Sequence, residues 1–92
     1  MTIYVTQEDI ERSKQMLGNS IGFFLDKFYD PIAIAIRRSI NVNRVIVHLH
    51  AFEVNGKFIS LPPEAQDWCR NWCKGIVGLP FSFKIDYEPE HT

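Results

Sequence analysis

Three sets of side chains in this sequence have the types and spacings that chemistry uses. His48 and His50 lie two apart in a run of alternating residues. On a strand that spacing puts both imidazoles on one face, an element of many metal sites. No third ligand is close, because His91 belongs to the acidic C-terminal tail. The expectation is a solvated strand face, or a surface where imidazole meets phosphate, base or protein, with no metal. Cys69 and Cys73 are four apart. Their C-x3-C spacing fits no common zinc pattern, and two cysteines are too few for a disulfide framework. Both share an apolar stripe with Trp68 and Trp72, so core packing is expected for both. Arg37, Arg38 and Arg44 flank one turn. Such arginines either cap a helix end or offer a planar fork to phosphate or carboxylate. Ile46 and Phe52 share the predicted face of the two histidines, and Lys57 follows in the next strand. An aromatic among basic groups is a common nucleic-acid surface. The same face could be the core face, and the alternation leaves that open.

Catalysis would need more than this. The sequence has no Ser in a G-x-S-x-G context and no Gly-rich phosphate loop. No two carboxylates sit in an acid/base setting with a His between them. The reading is of a protein that is not an enzyme, with no cofactor and no small-molecule substrate.

The elements that must position these groups follow from local signals. Ile3-Tyr4-Val5 reads as a short strand. Thr6 and Asp9 form a weakened capping box, with Asp where Glu or Gln is usual. A helix is expected from about Gln7 to Met16, ended by Gly18-Asn19. Ile21 to Tyr29 is apolar and ambiguous between a helical turn and a loop. Asp30-Pro31 is an N-cap followed by a favoured first helical residue. The helix it opens, Pro31 to Arg38, is apolar almost all round and reads as buried. Asn41-Val42-Asn43 is a turn.

Arg44 to Val54 is the strongest strand signal, with a bend expected near His50 or Ala51. Asn55-Gly56 supplies a type I′ hairpin turn, and Lys57 to Ser60 returns as the partner strand. Leu61-Pro62-Pro63 opens a helix whose stripe is Ala65, Trp68, Cys69, Trp72 and Cys73, with Gly75 as its stop. Phe81, Phe83 and Ile85 alternate as a final strand, and the tail after about residue 88 is expected to fray. The order is β-α-α-β-β-α-β. It implies one α+β domain over residues 1–92, an antiparallel sheet of about four strands with helices packed on one face.

Charge is segregated along these elements. The 92 residues carry a formal net charge of -1. Residues 31–52 hold three arginines and no acid, while the flanking segments are acidic. A general nucleic-acid binder is usually basic overall. One basic patch against an anionic surface remains compatible with this balance. No apolar run is long enough for a membrane span, and Met1 to Asp9 has no basic-then-apolar leader pattern. A cytosolic protein without membrane partners is the expectation.

The whole pattern has a resemblance. Ile3-Tyr4-Val5-Thr6 runs into Gln7-Glu8-Asp9-Ile10. Pro-Ile-Ala-Ile-Ala-Ile-Arg-Arg follows at 31–38, then Val45-Ile46-Val47, Asn55-Gly56, Leu61-Pro62-Pro63, Trp68 and Pro80-Phe81-Ser82-Phe83. This resembles a group of small uncharacterised phage and prophage proteins. Many of that group open the second helix with Cys-Pro. Asp30 stands there in this chain, so no role of that Cys transfers. Within the group, the length and sequence resemble phage anti-CRISPR proteins directed at type I-F systems. That resemblance implies a non-enzymatic inhibitor in the host bacterial cytoplasm. Its partners would be Cas proteins of the RNA-guided surveillance complex, with its guide RNA as a further contact. Under this reading Glu8, Asp9, Glu11, Asp86 and Glu88 meet basic protein groups, and Arg37, Arg38, Arg44, His48 and His50 lie near RNA or an acidic protein edge. Phe52 and Lys57 complete that contact set. Alternatives are a small regulator binding nucleic acid directly, and a structural or virion-associated phage protein.

Overall fold

Reciprocal hydrogen bonds start the first helix. Asp9 Oδ2 accepts from the Thr6 amide at 2.9 Å, and Thr6 Oγ1 accepts from the Asp9 amide at 3.2 Å. The shortened capping box therefore works with Asp at its third position. In the computed structural model, which describes residues 1–17, 29–76 and 78–87, this helix is α1, Gln7–Leu17. It follows β1, Thr2–Val5. The ambiguous segment from Ile21 onward, Tyr29 apart, and the tail beyond Tyr87 lie outside the described residues.

The second helix, α2, is Pro31–Ile40. Asp30 Oδ1 accepts from the amides of Ile32 at 2.6 Å and Ala33 at 3.1 Å. Pro31 needs no such partner, because its nitrogen carries no hydrogen. Residues 31–36 are all buried, as the all-round apolar pattern requires. Each fully buried Ile contributes about 2 kcal/mol relative to exposure. Asn41 ends the helix in the left-handed conformation (φ 55°), which its short polar side chain tolerates.

The run from Arg44 to Val54 is not one bent strand. It reverses completely. β2, Ile46–Val47, pairs antiparallel with β3, Ala51–Val54, with Val47 opposite Phe52. The His48 amide donates to the Ala51 carbonyl at 2.8 Å, so Leu49 and His50 form a two-residue turn. Neither has positive φ, and neither is a usual turn residue. The sequence therefore carries no turn signal there. A second hairpin follows: Asn55 (φ 51°) and Gly56 (φ 77°) turn β3 into β4, Lys57–Ser60. Both central residues are left-handed, as a type I′ turn demands.

Helix α3, Pro63–Cys73, ends in a Schellman motif. Gly75 (φ 85°) donates to Trp72, and Ile76 donates to Asn71. β5, Phe81–Lys84, pairs antiparallel with β1, placing Phe83 opposite Ile3. The antiparallel strands thus form two sheets, a β1-β5 pair and a β2-β3-β4 meander. The division follows from the reversal at Leu49-His50, which uses up the pairing edge of the middle segment within itself.

One buried cluster joins the elements. It takes Ile3 and Val5 from β1, Ile10 from α1, the apolar face of α2, Val45, Val47, Phe52 and Val54 from the meander, and Phe83 from β5. From Phe83 an aromatic row runs outward through Phe81 and Trp68 to Trp72, with ring centroids 5.3 to 5.7 Å apart. Gly78 is obligatory beneath it, since a Cβ there would lie 2.3 Å from Trp68 Nε1. Cys69 is buried in this region, but Cys73 is exposed. The expectation of core packing for Cys73 is corrected: it falls at the trailing edge of the stripe and is exposed, while the neighbouring Trp72 packs against the core.

Candidate functional site

The three arginines that flank one turn do not converge. Arg38 Nη2 donates to Asp9 Oδ2 at 2.7 Å and to the Tyr4 carbonyl at 3.0 Å. It ties the end of α2 to the junction of β1 and α1. Asp9 is only 5% exposed, and its Oδ2 serves both the α1 cap and Arg38. Asp9 is therefore corrected from a partner contact to one half of a structural clamp, whose other half, Arg38, is itself exposed. The physical reason is that a buried carboxylate needs a partner within the fold. Arg37 is half-buried, with its guanidinium 5.8 Å from the centre of the Tyr29 ring. Arg44 lines an open cleft.

The histidines also separate. His50 lies in the Leu49-His50 turn. Gln66 Nε2 donates to the Leu61 carbonyl at 2.7 Å, which orients the amide oxygen toward His50. His50 Nδ1–H donates to that oxygen at 2.9 Å. His48 Nε2 instead lies 3.4 Å from Glu53 Oε1, and its ring centre is 5.4 Å from that of Phe58. The expected shared face is corrected, because the Leu49-His50 turn, of which His50 is part, ends the strand alternation. Among the described residues no group of three metal-ligating side chains converges.

The same turn decides which face of the meander is buried. Side chains 45 and 47 face inward before it, and 52 and 54 after it. The inward set changes from odd to even positions because directly opposed residues share a face. Phe52 is thus fully buried, and its expected role as an exposed contact is corrected. Ile46, Glu53 and Phe58 form the cross-strand row on the outer face. Phe58 is 66% exposed. Lys57 is exposed beside the Asn55-Gly56 turn.

The cleft lies at the end of this row, between the α2–β2 connection and the β3–β4 turn. Its volume is about 520 Å³. Asn41, Asn43, Arg44, Ile46, Glu53 and Asn55 are its main lining residues. No family model, curated protein or solved structure matches the chain. The cleft must therefore be read from its own chemistry. Three carboxamides provide donors and acceptors together, Glu53 provides acceptors, and Arg44 provides a cationic fork. Asn41, Asn43, Asn55, Glu53 and Phe58 were absent from the expected contact set. Both turns were legible in the sequence, but nothing in it signalled that they face each other. Of the expected acidic contacts, Glu8, Glu11 and Asp86 are exposed, while Glu88 lies outside the described residues. No helix among the described residues is long and apolar enough to cross a membrane.

Proposed function

We propose that this chain is a non-enzymatic, phage-encoded inhibitor that binds a type I-F RNA-guided surveillance complex in the host cytoplasm and blocks its target DNA. The observation that carries the reading is the outer face of the meander. There an exposed aromatic, a histidine and a half-buried Ile stand on hydrogen-bonded backbone beside an open polar cleft lined by Arg44. Such a surface suits contact with a large partner. Elsewhere, several acid, base and thiol groups are engaged within the fold. Asp9 is held by Arg38, Asp30 caps α2 and accepts from Cys69, and His50 is held by Gln66. The choice of partner rests on the sequence resemblance. Recognition in such complexes depends on guide–target pairing in a basic channel, which a bound protein can obstruct.

The test is co-purification of the tagged chain with a type I-F surveillance complex, followed by a target-DNA gel shift. Stable capture with loss of DNA binding is the expected result. Absence of capture would overturn the reading. A second reading, a small regulator that binds nucleic acid directly, is favoured by the exposed Phe58 on β4 and by Arg44 in the lining of the cleft. It predicts affinity for free DNA that falls steeply with salt.

A further inference from the structure

We infer that the cleft between the α2–β2 connection and the β3–β4 turn is a binding site for one unpaired nucleotide of single-stranded RNA, with the next base stacked on Phe58. The inference deepens the inhibitor reading by naming the guide RNA as the element contacted. It rests on that reading for the identity of the RNA, and on the cleft for the chemistry.

Size comes first. At about 520 Å³ the cleft falls within the range of small-ligand sites. Its lining then narrows the class. A bare anion is usually met by several Arg or Lys side chains, whereas this lining mixes one arginine with Asn41, Asn43, Asn55 and Glu53. Carboxamides both donate and accept, and a carboxylate accepts from amino or imino groups. A ligand that matches them must offer donors and acceptors close together and carry one negative charge nearby. A nucleotide does so, through its base edge and its phosphate. The ribose 2′-hydroxyl, itself donor and acceptor, adds a partner for the carboxamides that deoxyribose lacks.

Continuity with the sheet supplies the second contact. Glu53 lines the cleft and lies directly opposite Phe58 on the neighbouring strand. Phe58 therefore stands one strand away on the same outer face. It is 66% exposed, with the His48 ring against it. Exposed aromatics on a sheet face are the usual platform for unstacked bases, because every base has a π-face. Arg44 in the lining supplies one cation for a phosphate, and Lys57 follows the turn at its edge, beside the single lining carboxylate, Glu53.

The test is a two-dimensional amide NMR titration of the intact chain with an unstructured six-nucleotide RNA, and with DNA of the same sequence. The expected result is saturable shifts of the side-chain amides of Asn41, Asn43 and Asn55 and the backbone of residues 53–58. DNA should bind more weakly. Phe58→Ala and Arg44→Gln should each weaken RNA binding by about tenfold, with the remaining spectrum unchanged. With one phosphate contacted, the logarithm of affinity should fall with the logarithm of salt with a slope of only about -0.7. Shifts elsewhere, equal affinity for DNA, unaltered binding by both variants, or no shifts would overturn the inference. Flat RNA titrations with intact capture of the complex would leave the inhibitor reading standing without this site. RNA binding as described, without capture, would leave the site and remove the inhibitor reading.

Discussion

At the end of α2, Arg38 reaches back to Asp9 and the Tyr4 carbonyl, while six residues later Arg44 stands exposed on the rim of a polar cleft. The two arginines occupy regions built on opposite terms. Around α2, six consecutive residues are buried, and the polar groups at its start are spent on each other. Asp30 takes two amides on one oxygen and the Cys69 thiol, at 2.9 Å, on the other. On the outer face of the meander, polar and aromatic groups stand outward from a backbone that the two hairpins hold in place. Residue type does not separate these roles. Position relative to the buried cluster does.

The comparison can be broken at four points, starting with the two phenylalanines that lie on opposite faces of the sheet. Phe52→Ala should lower stability by about 3–5 kcal/mol in urea denaturation, because it opens a cavity in the core. Phe58→Ala should stay within about 0.5 kcal/mol. Equal losses would mean that the inner and outer faces are misassigned. Asp30→Ala should cost about 2–3 kcal/mol, since two helix amides and a thiol lose their acceptor. A melting temperature unchanged from wild type would contradict that network.

The arginines come next. Arg38→Ala should cost about 1–2 kcal/mol by uncoupling the buried Asp9, whereas Arg44→Ala should leave the thermal melt within about 0.5 kcal/mol of wild type. The smallest effect concerns the cysteines. Cys73→Ser should be neutral within about 0.5 kcal/mol. A thiol-reactive probe should label Cys73 in the native protein and reach Cys69 only after unfolding. Rapid labelling of both would contradict the burial of Cys69.

Local chemistry made most elements readable. Thr6 and Asp9, Asp30 and Pro31, Asn55 and Gly56, and Gly75 each act within a few residues of themselves. Their capping and turn geometry is therefore present in the sequence. The Leu49-His50 reversal was not readable, because neither residue favours a turn and apolar residues alternate across it. One hidden turn moved Phe52 into the core, separated His48 from His50 and divided the strands between two sheets. The site inherited that error, since its residues come from two turns that meet only because the chain reverses between them.

Composition, capping signals and the apolar pattern of 31–36 were enough to determine an α+β chain with a buried central helix, since each depends on short-range sterics and the hydrophobic effect. The pairing of strands, the side of the sheet that faces water and the fate of each arginine were decided by tertiary structure alone. Those properties depend on which distant segments compete for the same core, and the alternation along a single strand is satisfied equally well by either face.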